Sequence, residues 1–172
     1  MSSIHKNLST SEDANLEKLN DVKIGIVTSE WNREITTSLR SGCIETLNSY
    51  GCTDASIISI DVPGAFELPT GAKLLLANYK LDAVICLGCV IKGETKHDEY
   101  ICNAVANGIT ALSISSTKPI IFGVLTPNDM QQAMERSGGK HGNKGVEAAL
   151  SAIKMINVSN KIKMQVKSKI GF

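Results

Sequence analysis

The chain has 172 residues, 42% of them hydrophobic and 20% charged, which is enough to bury one sizeable core and makes a single domain the expectation. Lys and Arg number 18 against 17 Asp and Glu, a net charge of +1 with no sustained basic block, so nucleic acid and acidic membranes are disfavoured as partners. No apolar run approaches the ~18 residues that a membrane-spanning helix needs, and the polar N-terminus with Glu12, Asp13 and Glu17 reads as neither signal nor transit peptide.

Residues 1–21 read as a polar extension. From Val22 onward, short apolar runs rich in β-branched residues alternate with segments of helical period, the pattern of parallel strands joined by helical crossovers. Strands are predicted over Val22 to Thr28, Ser56 to Asp61, Ala83 to Cys89 and Ile120 to Leu125, and their near-continuous hydrophobicity suits a sheet covered on both faces. The first helix carries Ile35, Leu39, Cys43 and Leu47 at spacings of four; a second runs from about Leu68 to Ala77; the third carries Ile101, Val105, Ile109 and Leu112. Thr126-Pro127 reads as the opening of a short helix that Gly138-Gly139 closes. A last helix starts near Asn143 and buries Val146, Leu150 and Ile153. Lys161, Lys163, Lys167 and Lys169 then mark residues 159–172 as a solvated tail, leaving 22–158 as the domain. The fold class is α/β, a three-layer sandwich with a four-stranded parallel sheet flanked by helices.

Ligands of such sheets bind outside the carboxyl ends of the strands, so the segments after each strand are the ones to inspect. Ser29-Glu30-Trp31-Asn32 follows the first, Val62-Pro63-Gly64-Ala65-Phe66-Glu67-Leu68-Pro69 the second, and Val90-Ile91-Lys92-Gly93-Glu94-Thr95-Lys96-His97 the third. The only Trp and one of three Phe fall there, where aromatics can stack on a planar ligand.

Thr95 with Asp98 three residues on resembles a capping box, which puts His97 in the first turn of the third helix. The positive end of a helix dipole favours an unprotonated imidazole, able to accept a proton; the competing reading is a solvated surface His. Gly93-Glu94 and the same helix start offer backbone N–H groups to an anion such as phosphate. Arg136 either completes that site or serves its own helix as a C-terminal dipole partner, and the sequence leaves both open. Cys86-Leu87-Gly88-Cys89 has a C-x-x-C spacing but lies along a strand, where residues three apart point to opposite faces, so core thiols fit better than a redox or metal pair. Five cysteines, an odd number, fit reduced thiols in a cytoplasmic protein. The glycine-rich Gly138 to Gly145 segment lacks the spacing of a phosphate loop and joins two helices, which argues against nucleotide hydrolysis.

Pro63-Gly64-Ala65-Phe66-Glu67-Leu68-Pro69, Gly88 to Tyr100, Phe122-Gly123-Val124-Leu125-Thr126 and Gly142-Asn143-Lys144-Gly145 together resemble the 6,7-dimethyl-8-ribityllumazine synthase family, from about Val22 to Val158. The resemblance implies a flavodoxin-like subunit and the penultimate step of riboflavin synthesis. There 5-amino-6-(D-ribitylamino)uracil condenses with 3,4-dihydroxy-2-butanone 4-phosphate, with no cofactor or metal. By matching position, Trp31 and Asn32 resemble the pyrimidine-stacking segment, while Ala65, Phe66 and Glu67 resemble the segment that holds the pyrimidine and ribityl chain. Cys89, Val90 and Ile91 resemble the backbone strip that reads the heterocycle, and Cys89 departs from the family's usual Thr or Ala. Glu94, Thr95 and Arg136 match phosphate-side positions, His97 the proton-transfer residue, and Phe122 and Lys144 positions offered by neighbouring subunits. The resemblance also implies a homo-oligomer with sites between subunits, a pentamer and, because the turn between the last two helices carries no insertion, a sixty-subunit icosahedral shell. Riboflavin synthase is a partner that it admits. Two alternatives remain: the archaeal type of riboflavin synthase and a non-catalytic flavin-binding shell protein.

Overall fold

A computed structural model describes the backbone of residues 16–170 and the side chains of residues 16–166. Strands β1 (Ile24–Ser29), β2 (Ile57–Val62), β3 (Ala83–Cys89) and β4 (Ile120–Leu125) alternate with helices α1 (Arg33–Ser49), α2 (Leu68–Asn78) and α3 (His97–Ser116). The strands form one parallel sheet in the order β2-β1-β3-β4. This is the α/β flavodoxin-like arrangement that the sequence led us to expect. After β4 come α4 (Met130–Glu135), a two-stranded hairpin of β5 (Ser137–Gly139) and β6 (Gly142–Asn143), and α5 (Lys144–Ile170).

The central strands β1 and β3 are buried along their whole length because helices cover both faces. Ile24, Ile26, Ile85, Leu87 and Cys89 point into a core shared with Leu39 and Leu47 of α1 and Ile153 of α5. Their neighbours Val27, Val84 and Cys86 point the other way, onto Leu68 of α2 and Val105 and Ile109 of α3. Cys86 and Cys89 therefore lie in different cores, as their spacing along a strand requires.

Three details differ from the sequence reading. The short helix begins not at Thr126-Pro127 but at Met130, where the Asp129 carboxylate accepts from the Gln132 N–H at 2.7 Å and makes the better cap. Pro127 instead prolongs the end of β4, its carbonyl accepting from the Lys92 N–H at 3.0 Å. Thr95 does not cap α3: Lys96 holds that place without a side-chain bond, and the Thr95 hydroxyl accepts a long 3.4 Å bond from the His97 N–H. Nor do the residues after 158 leave the helix, for past Gly145 in its first turn α5 meets no Gly or Pro before Gly171 and stays helical to Ile170, exposed from Asn160 through Val166. The side chains of Lys167 and Lys169, like residues 1–15 of the N-terminal extension, lie outside the described residues. The extension's last residues do pack: Leu19 is buried, and its N–H donates to the Tyr50 carbonyl at 2.7 Å.

Candidate active site

Strand order reverses between β1 and β3, with one crossover leading outward to β2 and the other to β4. A crevice at such a switch point is where an α/β sheet takes its ligand. A cavity of about 950 Å³ opens there, lined by the segments that follow β1, β2 and β3 and by the start of α3. Its volume suits a small-molecule pair or a heterocycle with a side chain.

Each wall has a local cause. Asn32 takes a left-handed conformation (φ 57°, ψ 48°), which Asn tolerates better than most residues, and its Nδ2 donates to the Cys89 carbonyl at 2.9 Å, tying the β1 loop to the end of β3. The turn leaves Trp31 73% exposed at the rim, facing the cavity with Phe66, which is 59% exposed. Ala65 to Glu67 form a single 3-10 turn whose Glu67 Oε2 accepts from the Gly64 N–H at 3.0 Å, so one carboxylate oxygen fixes the turn. Along the β3 exit the Cys89 carbonyl is held by Asn32, and the Val90 N–H donates to the Leu125 carbonyl at 2.9 Å. The Ile91 N–H, with the Val90 and Ile91 carbonyls, has no bond among the described residues and is what this strip can offer a ligand. Burial, reinforced by the Cys102 thiol, pushes the Cys89 thiol up to about 12, so the group is neutral and no nucleophile. His97 opens α3 at the cavity edge, exposed, with Thr95 beside it.

The fold thus brings together Trp31, Asn32, Ala65, Phe66, Glu67, Cys89, Val90, Ile91, Thr95 and His97 around one cavity. Glu94, Phe122, Arg136 and Lys144 do not line it. Lys144 pairs with Glu147 at 2.5 Å, and the half-buried Arg136 guanidinium donates only to the Gln132 carbonyl, at 3.4 Å, with no carboxylate partner among the described residues. Sequence reasoning placed Gly64 and Gly93 in the segments to inspect, and it missed Asp98, Tyr100, Ile101 and Ala104 of the lining. The last three follow His97 at three, four and seven residues, one face of a helix, and that spacing was the signal available. It also missed two buried hydroxyls at the end of β1, Thr28 Oγ1 and Ser29 Oγ, which have no hydrogen-bond partner among the described residues.

Residues 21–160 match the model of the family described as 6,7-dimethyl-8-ribityllumazine synthase. The chain belongs to that family. A 6,7-dimethyl-8-ribityllumazine synthase of Cytophaga hutchinsonii is 53% identical over 156 residues, covering 91% of this chain and 98% of the relative. The like-named proteins of Flavobacterium psychrophilum (49% identical; 90% of this chain, 82% of the relative) and Porphyromonas gingivalis (46%; 90% and 96%) are similar over nearly the same span. All three comparisons span the cavity-lining segments. In this lumazine synthase family member, no helix among the described residues is long and apolar enough to cross a membrane.

Proposed function

We propose that this protein condenses 5-amino-6-(D-ribitylamino)uracil with 3,4-dihydroxy-2-butanone 4-phosphate to form 6,7-dimethyl-8-ribityllumazine, releasing phosphate and water. The observation that carries this reading is the aromatic-rimmed cavity at the switch point, built from the motifs of a chain that belongs to the family named for that product. Trp31 and Phe66 stack on and flank the pyrimidine, and the Val90-Ile91 backbone meets its polar edge. His97 moves protons as the 5-amino group attacks the ketone to give an imine, phosphate is eliminated, and the ring closes with loss of water. Positioning does most of the work: holding two reactants in register supplies roughly 7–11 kcal/mol at best, and acid-base help typically adds ~100- to 10,000-fold. The names of the family and relatives favour this activity over riboflavin synthase or a non-catalytic shell protein. Mixing both substrates and following lumazine absorbance tests it, and no product at any pH from 6 to 9 overturns it.

The site is composite. Phe122, Arg136 and Lys144 act in a neighbouring subunit's cavity, Arg136 and the Glu94-Thr95 segment there holding phosphate, which accounts for their distance from the cavity of their own chain. A guanidinium with one long bond to a carbonyl and no carboxylate partner among the described residues supports an anion as the missing partner. The outer face of α3, with Tyr100 74% and Ile114 75% exposed on either side of Ala104, Asn107 and Ala111, supports a subunit contact. The assembly is a pentamer, and the short hairpin between α4 and α5 favours the sixty-subunit shell. It works in a reducing, cytoplasmic compartment, a reading supported by five free cysteines, four of them buried.

A further inference from the structure

Arg136 is the C-cap of α4, and the residue before it is an acid. Glu135 is the nearest anion in sequence to the guanidinium and, left free, the natural competitor for it. The structure holds that carboxylate elsewhere. Its Oε1 accepts from Gln131 Nε2 at 3.4 Å, and its Oε2 lies 3.6 Å from His141 Nε2 at the tip of the β5–β6 hairpin. Both side chains are about three-tenths exposed, so the contact is accessible to water without being fully dissolved in it. The hairpin presents the imidazole through two backbone bonds: the His141 N–H donates to the Glu135 carbonyl at 2.8 Å, and the Lys144 N–H to the Arg136 carbonyl at 2.9 Å. Elsewhere in the chain an arginine with a free aspartate in reach takes it, as Arg40 does with Asp61 at 2.7 Å.

We propose that His141 is a positioning residue for the phosphate-bearing reactant: by engaging Glu135 it keeps that carboxylate off Arg136 and leaves the guanidinium open to a phosphate. The inference rests on the reading of Arg136 as a phosphate ligand. With the imidazole removed, Glu135 turns to the adjacent Arg136, and the phosphate must displace it. A partly exposed ion pair of this kind is worth a factor of about two to five in affinity. The effect falls on one reactant, because Arg136 is read as a ligand of the phosphate alone and no hairpin residue lines the cavity of its own chain.

Steady-state kinetics on the assembled protein test it, with the KM of each reactant and the inhibition constant of inorganic phosphate measured for Arg136→Ala, His141→Gln, Glu135→Gln and the double variant. The expected result is a two- to fivefold rise in the KM of the phosphate-bearing reactant for His141→Gln. The KM of the pyrimidine and kcat stay unchanged, and phosphate inhibits less tightly by the same factor. Glu135→Gln alone leaves that KM at or below the parent value, and in the double variant it cancels the His141→Gln defect. Rescue separates the competition from a plain structural role, since a residue that merely braced the hairpin through Glu135 would make Glu135→Gln harmful and the double variant no better. An undiminished defect in the double variant therefore overturns the proposal, as does a silent His141→Gln beside a damaged Arg136→Ala. If Arg136→Ala itself spares the phosphate-bearing reactant, the reading of Arg136 fails first.

Discussion

Asn143 concentrates more of the fold in one side chain than its polar character indicates. It is buried (8% exposed) at the N-terminus of α5, where its Oδ1 accepts from the Gly145 N–H at 2.8 Å, while its Nδ2 donates to the Ser38 carbonyl at 3.0 Å and the Ser137 carbonyl at 3.2 Å. One amide thus caps α5, closes the hairpin and ties both to α1. Asn143→Ala removes a cap worth about 1 kcal/mol and two buried bonds of about 1 kcal/mol each, a loss of about 3 kcal/mol. The sharper variant is Asn143→Asp. Asn and Asp are equally good helix caps, so propensity alone predicts no change. The structure predicts a loss of at least 2 kcal/mol, because the carboxylate keeps the cap but sets a second oxygen against two carbonyls where donors stood. Urea titration at one fixed protomer concentration reads this directly, as subunit association otherwise shifts the midpoint. With a slope of roughly 1–3 kcal/mol per molar, the Ala variant moves the midpoint by about 1–3 M. An Asp variant within 0.5 kcal/mol of the parent would refute the reasoning.

Trp31 is the sole tryptophan, so its fluorescence reports the site: the pyrimidine quenches it, and Trp31→Ala raises the pyrimidine KM about two- to tenfold, the worth of one stacking contact. His97→Ala lowers kcat on the order of 100-fold, at the lower end for proton-transfer help, while sedimentation shows the same assembly; full activity across pH would remove its proton role. Burial pushes the Cys43 and Cys86 thiols up to about 12. Above about pH 9 the unfolded chain gives up these protons and the folded one keeps them, so stability falls with rising pH by about 1.4 kcal/mol per unit for each thiol. Denaturation between pH 8 and 11 shows a shallower fall for the Cys43→Ala/Cys86→Ala variant, and equal slopes would contradict it. Sedimentation velocity gives a pentamer or its sixty-subunit shell, and a monomer active at full rate would sink the composite site.

The sheet was legible because burial on both faces leaves a sequence mark. β1 and β3 are continuous apolar runs, and α1 writes its single buried stripe as Ile35, Leu39, Cys43 and Leu47. The ends of elements were less so, since they depend on partners far along the chain. Pro127 loses its helix start to a bond with Lys92, and Asn32 is fixed by Cys89, 57 residues away. The cavity segments could be named from strand order alone, but the α3 wall of Tyr100, Ile101 and Ala104 required knowing which face of the helix turns toward the cavity. Gly145 shows a residue whose cause is purely spatial: a Cβ there would stand 1.8 Å from the Leu39 carbonyl oxygen, so its glycine records the closeness of α1 and α5 rather than any ligand.

The loops of the site are unusually well joined, and this bears on how such an enzyme works. The Glu30 N–H donates to Val62 O at 2.8 Å, Trp31 N–H to Pro63 O at 3.2 Å, Val90 N–H to Leu125 O at 2.9 Å and Lys92 N–H to Pro127 O at 3.0 Å, while Asn32 bridges to Cys89. The sheet's ladder therefore continues past its strands into a rim that crosses all four exits. A reaction driven by holding two reactants in register needs such a rim, because any looseness there is entropy the substrates must lose at the transition state. The exception is Gly93-Glu94, which makes no bond to another loop among the described residues and where a Cβ on Gly93 would meet only the Thr95 backbone, at 3.9 Å. That is the segment assigned to phosphate, the group that must enter with one reactant and leave before the ring closes. Its counterpart Arg136 is pinned instead, by the hairpin. One side of the anion site is thus firm and the other loosely held, which fits a group that enters with one reactant and is released midway.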